Sequence, residues 1–357
     1  MPRLVRTAAT LFTTLALGLA ACPAPAAAPA AAGALRIYFA DVEGGQATLF
    51  VTPQGENLLV DTGWPGAGGR DADRIVALCK QAGVTRLDNV LITHFHTDHV
   101  GGVPQLAARI PIGRLIDHGD NTETSDPATL AGWQGYQQTL ASTHAQRLTV
   151  HVGDMLPIRG LHAEVVSGDG HVLQHPLAGG GAGSQNPYCA SSPMRPLEDT
   201  ENDKSLGLMI TFGKLRILDL GDLTWAQERP LMCPVDNLGK VDIYIVSHHG
   251  MDRSSSPALV DAIAPRVAIM DNGGHKGGSQ PAWTVVSASP RIANNAGDLW
   301  QLHTAEDSDA AHNVPEQRIA NLPGADAGHS LSLTAYRNGS FVVANQRNGA
   351  SKRYPAQ

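Results

Sequence analysis

The stretch Thr93-His94-Phe95-His96-Thr97-Asp98-His99-Val100-Gly101-Gly102 decides how the rest of this chain is read. It follows Asn89–Ile92, a short apolar run of the kind that forms a fully buried strand. His94 and His96 leave that strand two residues apart, so strand alternation points both imidazoles to the same side. Asp98 and His99 come where the chain turns into the next helix, and there they can face a second ion. Two adjacent sets of nitrogen and oxygen ligands with few thiolates suit zinc, with manganese or iron as alternatives. A chance cluster of surface histidines is the competing reading. The buried strand before the motif and the Gly-Gly after it argue against that.

Working outward, Leu35–Phe39, Gln46–Thr52 and Asn57–Val60 read as strands, the last ending at Asp61-Thr62-Gly63. Asp71–Ala82 has helical periodicity with Gly83 as its stop, Val103–Ile110 is helical, and Arg114–Ile116 returns as a strand. Residues 168–204, rich in Gly, Ser, Pro and Asn, form a long insertion over one face. Strands resume at Leu206–Phe212, Leu215–Leu220, Val241–Val246 and Val267–Met270, with a helix at Pro257–Ile263 before the last. Ser330–Tyr336 and Ser340–Ala344 make a hairpin around Arg337-Asn338-Gly339. Mixed strands and helices without a composition break after residue 35 predict one large layered α/β domain over residues 35–357.

The chain has 357 residues and a net charge of −7, from 26 Lys+Arg against 33 Asp+Glu. Without a basic block it is poorly suited to gripping a phosphate backbone, so nucleic acid is not expected as a stable partner. Four scattered cysteines exclude a disulfide scaffold and a Cys-based zinc ribbon, whereas fifteen histidines supply metal ligands in excess. Arg3, Arg6 and the apolar Ala8–Ala21 read as an export signal over residues 1–21, too short to stay in a bilayer as a spanning helix. Leu19-Ala20-Ala21-Cys22 resembles the lipobox of bacterial lipoproteins, in which the Cys is acylated; an ordinary cleaved signal is the alternative. Residues 22–34, almost wholly Ala and Pro, suit a tether. The expected location is therefore outside the cytoplasm, periplasmic or membrane-tethered through a lipid on Cys22. Cys79 is expected to be buried in its helix, and Cys189 and Cys233 could pair in an oxidising compartment.

The His-x-His-x-Asp-His run after a hydrophobic strand resembles the signature of the metallo-β-lactamase-fold hydrolases, and the resemblance runs from about Leu35 to the final hairpin. It implies an αββα sandwich. Asp61 matches the family's early Asp, which supports the ligand loop. Gly221-Asp222 matches the later Gly-Asp whose carboxylate bridges two metals, and Ser247-His248-His249-Gly250 matches the last histidine motif. The implied ligands of two divalent ions are His94, His96, Asp98, His99, Asp222 and His249, with Asp98 also in a catalytic role. His248 then faces substrate as proton donor or oxyanion stabiliser; the reverse assignment of His248 and His249 stays open.

Phe39-Ala40-Asp41-Val42-Glu43-Gly44-Gly45-Gln46-Ala47 looks like the opening of one subgroup. Asn202–Leu206 with Ser205 fits it too, as does His248-His249-Gly250 followed by Ser254-Ser255-Ser256. That subgroup holds the metallo-β-lactamase-like domain of bacterial competence (DNA-uptake) proteins and the phosphorylcholine esterases. The competence proteins' membrane-spanning channel has no counterpart in this sequence. There is one departure from the wider family. Most of its enzymes place a further metal-binding His, in a Gly-His context, before the bridging Asp, and here that stretch reads Glu201-Asn202-Asp203-Lys204-Ser205. The His94/His96 ion is then open to water or substrate, or one of these polar residues replaces the ligand.

Such a centre implies an exported hydrolase of a small-molecule or phosphoester substrate. Two cations about 4 Å apart acidify a shared water and polarise the oxygen under attack. The alternatives are a non-catalytic, metal-stabilised binding module at the cell surface, for example in DNA handling, and a lactone or β-lactam hydrolase. His118, after Asp117, and His275, in Asn272-Gly273-Gly274-His275-Lys276, follow strands and are read as lining the pocket, against plain surface loops. Trp64 is either an aromatic wall for a cationic head group or a packing residue. The remaining histidines, His303 among them, lack ligand spacing and read as ordinary polar residues.

Overall fold

The computed structural model describes residues 1–2, 33–295 and 297–357. All but the first two residues of the expected export segment, the Cys22 anchor and most of the tether lie outside these residues.

The chain first lays down β1 (Leu35–Phe39), β2 (Thr48–Val51), β3 (Asn57–Val60), β4 (Leu87–Leu91), β5 (Ile112–Asp117) and β6 (Gln146–Thr149). It then builds β7 (His162–Gly168), β8 (His171–Val172), β9 (Gly207–Phe212), β10 (Leu215–Asp219) and β11 (Ile243–Ile245). After them come β12 (Val267–Met270), β13 (Asp298–His303) and β14 (Ile319–Asn321), then β15 (Leu331–Ala335), β16 (Phe341–Asn345) and β17 (Ser351–Tyr354). Among the described residues these form two sheets, ordered β17-β16-β15-β1-β2-β3-β4-β5-β6 and β14-β13-β12-β11-β10-β9-β7-β8.

Strand alternation explains the layers. Leu35, Ile37 and Phe39 of β1 and Leu58 and Val60 of β3 meet Leu208, Ile210 and Phe212 of β9 in one core between the sheets. The intervening Tyr38 and Leu59 point outward, where α1 (Arg70–Ala82), α2 (Thr97–Val100), α3 (Val103–Ala107) and α4 (Pro127–Ser142) cover the first sheet. Met209 and Leu218 point away on the second sheet, under α5 (Trp225–Met232), α6 (Pro257–Ile263) and α7 (Gln280–Ala288). With both faces covered, the strands can be apolar throughout. The result is the αββα sandwich expected from the motifs.

Six strands escape the sequence reading, β6, β7, β8, β13, β14 and β17, and two of them show why. β13 is buried at every position although Asp298, Gln301 and His303 interrupt its apolar run, because each finds a partner. β7 alternates too weakly to stand out beside its exposed His162. The 168–204 insertion lies against α5 and α6, where Asn186 Nδ2 donates to the carbonyls of Met232 and Ala258. A Cys189–Cys233 disulfide fastens it, and Cys79 is a buried free thiol. No helix among the described residues is long and apolar enough to cross a membrane.

The topology also positions the chemistry. β3 to β6 run parallel, as do β10 to β14. Ligands of such sheets collect beyond the carboxyl ends of the strands. The loops leaving β3, β4, β10, β11 and β12 carry Asp61, the His94–His99 motif, Asp222, His248-His249 and Lys276.

Candidate metal centre

The β4 ladder stops where a side chain takes it over. Ile92 still donates its N–H to Ile116 O at 2.9 Å, but Thr93 N–H turns to Asp61 Oδ1 at 2.8 Å. His94 and His96 therefore project from the loop after β4, a correction to the strand alternation expected for them. They still face each other, with His94 Nε2 3.1 Å from His96 Nδ1. α2 follows at once and sets Asp98 and His99 in its single turn.

Asp61 anchors this loop from beneath. It holds a left-handed backbone (φ 60°), accepts from Thr93 Oγ1 at 2.7 Å, and lies 2.7 Å from His99 Nδ1, which leaves His99 Nε2 for the centre. Asp222 arrives from β10 through Gly221, where a Cβ would stand 2.9 Å from Thr93 Cβ at φ 54°. Glycine suits both demands. Ser205 Oγ accepts the Asp222 N–H at 3.2 Å, so the Ser205 singled out in the sequence positions Asp222. After β11, His248 and His249 adopt φ of 56° and 55°, an uncommon backbone for bulky side chains that functional sites tolerate. His248 N–H donating to Gly221 O at 3.0 Å ties this turn to the Asp222 loop.

These loops converge. Asp98, His99, Asp222 and His249 are buried, and each offers a ligand atom within 4.8 Å of the others. Asp98 Oδ2 lies 3.2 Å from His249 Nε2 and 3.4 Å from His99 Nε2. Asp222 stands between two groups: its Oδ2 is 3.2 Å from His99 Nε2, 3.4 Å from His248 Nε2 and 3.9 Å from His94 Nε2. Its Oδ1, buried without a hydrogen-bond partner, is 3.5 Å from His249 Nε2. A buried set of imidazole nitrogens and carboxylate oxygens with an unpartnered oxygen among them fits divalent cations.

Charge is concentrated accordingly. Burial would raise Asp222, but His248, His99 and His249 hold it well below the usual carboxylate range. Burial would likewise raise Asp98, and His99 and Lys276 pull it well below that range. Burial would lower His99, yet Asp222, Asp98 and Asp61 keep it well above the ordinary imidazole value. His94 is pushed down by burial and by its neighbours His99 and His96.

The outward ring nitrogens of His96 and His248 have hydrogen-bond partners, which fixes the orientation of those rings. His249 Nδ1 only lies near a carboxylate, without a hydrogen bond. His96 Nε2 is 3.0 Å from Glu123 Oε2, His249 Nδ1 is 3.4 Å from Asp271 Oδ1, and His248 Nδ1 is 3.2 Å from Ser254 Oγ. Glu123, Asp271 and Lys276 escaped the sequence reading. Glu123 sits in a polar loop, and only Asp271, directly after the buried β12, carried a signal in its position.

The weaker candidates fall in different places. His118 is buried at the end of β5, with Nε2 3.0 Å from Glu201 Oε2. Glu201, in the stretch lacking the further His, also accepts from Phe95 N–H and Thr122 N–H at 3.1 Å each, and so braces the loop that carries His94 and His96. Asn202 is buried beside it, its Oδ1 without a partner. His275 is exposed and meets Asp307 Oδ1 at 3.1 Å, at the rim of a cavity of ≈570 Å³ next to the centre. Lys276, one residue on, is the side chain that turns inward: its ammonium contacts Asp98 Oδ2 and lies 4.7 Å from the Trp64 ring centroid. His303 is buried 2.7 Å from Asp41 Oδ1, a correction to its reading as an ordinary polar residue.

An αββα sandwich with a His/Asp cluster beyond its parallel strands defines a class, and comparison with known proteins agrees. Residues 40–187 match the family described as the metallo-beta-lactamase superfamily. That match takes in the His94–His99 motif, so this part of the chain resembles a metallo-β-lactamase domain. It is similar to Recombination protein 2 of Haemophilus influenzae, 26% identical over 239 residues, 65% of this chain and 24% of that protein. It is similar to Competence protein ComA of Neisseria gonorrhoeae, 24% identical over 249 residues, 70% of this chain and 28% of that protein. A shorter match, 40% identical over 68 residues, covers 19% of this chain and 23% of the Hydroxyacylglutathione hydrolase of Stenotrophomonas maltophilia. The chain thus spans about a quarter of the length of these relatives. The competence side of the resemblance agrees with these names.

Proposed function

We propose that this protein is an exported, dinuclear metal-dependent hydrolase of a phosphodiester or another ester. The observation that carries the reading is the placement of Asp222, with Oδ2 toward His94, His99 and His248 and Oδ1 toward His249. In this reading His94 and His96 would hold one ion, and Asp98, His99 and His249 would hold the other, with the Asp222 carboxylate standing between the two sets. Bound there, the ions would activate a water and polarise the scissile ester. His248, steadied by Ser254, presents its Nε2 beside Asp222 and donates to the oxygen on which charge develops. Glu123 and Asp61 keep the rings of His96 and His99 turned so that one nitrogen of each faces inward. With a net charge of −7, the chain leaves a phosphate-bearing substrate to be held mainly by the metal centre.

Export is supported by the signal-like N-terminus and by the Cys189–Cys233 disulfide, which suits an oxidising compartment. A lipid on Cys22 would tether the domain outside the cytoplasm, and mass spectrometry of the mature N-terminus tests this: an unacylated start beyond Cys22 rejects it.

The second reading is a metal-stabilised binding module without turnover, which the likeness to competence and recombination proteins fits only weakly. Metal-loaded protein assayed on bis-p-nitrophenyl phosphate, p-nitrophenyl phosphorylcholine and a lactone separates the two. Turnover of a phosphodiester that is lost on chelation supports the hydrolase. Tight metal binding with no turnover of any of the three supports the module.

A further inference from the structure

Lys276 reaches the centre from the loop after β12, and its ammonium bonds to Asp98 Oδ2. That oxygen also faces His249 Nε2 at 3.2 Å and His99 Nε2 at 3.4 Å, so the lysine stands at the same carboxylate as the proposed second ion. The position is built from both sides. Gly278 N–H donates to His249 O and Ser279 N–H to Gly250 O, each at 2.9 Å, which fastens the lysine loop to the His249 turn. A Cβ at Gly277 would come 2.1 Å from His249 O, so the two backbones touch. From the other side the Gly44-Gly45 turn closes over both partners. A Cβ on Gly44 would approach Lys276 Cβ to 2.9 Å, and one on Gly45 would approach Asp98 O to 2.4 Å. Trp64 supplies an aromatic face to the ammonium at 4.7 Å.

The four donors Asp98, His99, Asp222 and His249 are a full set for one divalent ion. A fixed positive charge on one of them has two consequences. It takes a share of the Asp98 charge that the ion would use, and it repels a dication a few ångströms away. We propose that Lys276 competes with the metal for Asp98, so that this position loads more weakly than its donors would otherwise allow. The ion enters as the ammonium leaves. The lysine has somewhere to go: its side chain borders the ≈570 Å³ cavity, which Glu43, Glu306 and Asp326 line with carboxylates.

The proposal rests on the metal-centre reading, and metal titration separates the two. Metal-free parent, Lys276→Met and Lys276→Gln are titrated with Zn²⁺ against a chelator, and with Co²⁺ by its absorption spectrum. Both variants are expected to bind the same number of ions as the parent, with the weaker ion held at least about tenfold more tightly, about 1.4 kcal/mol. Lys276→Arg keeps the parent's affinity. In an Asp98→Asn background the gain from Lys276→Met disappears, since the two residues act on each other. Two lysine variants guard against a folding defect in either one. Equal or weaker binding in both overturns the competition and leaves the metal centre standing. Failure of the parent and both variants to bind Zn²⁺ or Co²⁺ overturns the metal centre itself.

Discussion

Glu123 and His96 are joined at 3.0 Å between Oε2 and the imidazole Nε2. The same oxygen accepts the Glu201 N–H at 2.8 Å, so the carboxylate is itself held in place. This turns His96 Nδ1 toward His94 Nε2 and makes Glu123 a positioning residue for the His94/His96 pair. Glu123→Gln is expected to weaken zinc at His94/His96 by about 10- to 100-fold, the usual cost of losing an outer partner of a ligand. Chelator competition measures it, and an unchanged affinity would remove Glu123 from the centre.

Asp61 is buried and serves His99 Nδ1, Thr93 N–H and Thr93 Oγ1 together. Asp61→Ala strips partners from all three and leaves His99 without its buried carboxylate. The expected loss is about 3–5 kcal/mol of stability in the metal-free protein, read from denaturant unfolding. A loss below about 1 kcal/mol would mean that the loop does not depend on it.

Gly45 is where the Gly-rich turn presses on the metal loop, with a Cβ placed 2.4 Å from Asp98 O. The contact is with backbone, so Asp98 has to move. Gly45→Ala is expected to cost about 1–3 kcal/mol of stability and to weaken metal binding at Asp98. Zinc titration together with thermal unfolding checks both; a variant indistinguishable from the parent would show that the turn is not in close contact.

Asp219 is fully buried behind the centre, where burial pushes its pKa to about 7; it accepts from Gln46 Nε2 at 2.8 Å and Gly221 N–H at 3.1 Å. The folded chain therefore keeps its proton while the unfolded chain has lost it. Stability contributed by this group is full below the unfolded value near 4 and is lost as pH rises toward 7. Metal-free parent should lose up to about 3 kcal/mol between pH 5 and pH 8 through Asp219, and Asp219→Asn should lose less. Parallel pH profiles for the two proteins would refute this; buried Glu228, also near 7, contributes equally to both.

The sequence is most informative where neighbours in the chain are neighbours in space. His94, His96, Asp98 and His99 sit together because one loop and one helical turn hold them, and the apolar run before them was readable as a buried strand. Asp222 and His248-His249 stood out through their Gly-Asp and His-His-Gly settings at strand ends, and the structure brings them to the same place. Glu123 and Lys276 were silent because nothing local distinguishes them. Glu123 lies in an ordinary polar loop, and Lys276 sits beside a histidine that drew the attention and points outward. Their places are set by how the loops after β5 and β12 close over the centre, which is tertiary packing. β13 was missed for a related reason, since its buried polar side chains mimic a solvated strand until their partners are known.

Metal content of the purified protein and of Asp222→Ala, measured at saturating zinc, bears most directly on the dinuclear centre. Two ions per parent chain, and at most one retained by Asp222→Ala at comparable affinity, is the expected result. An Asp222→Ala protein that still holds two ions as tightly as the parent, or a parent that binds none, would contradict it.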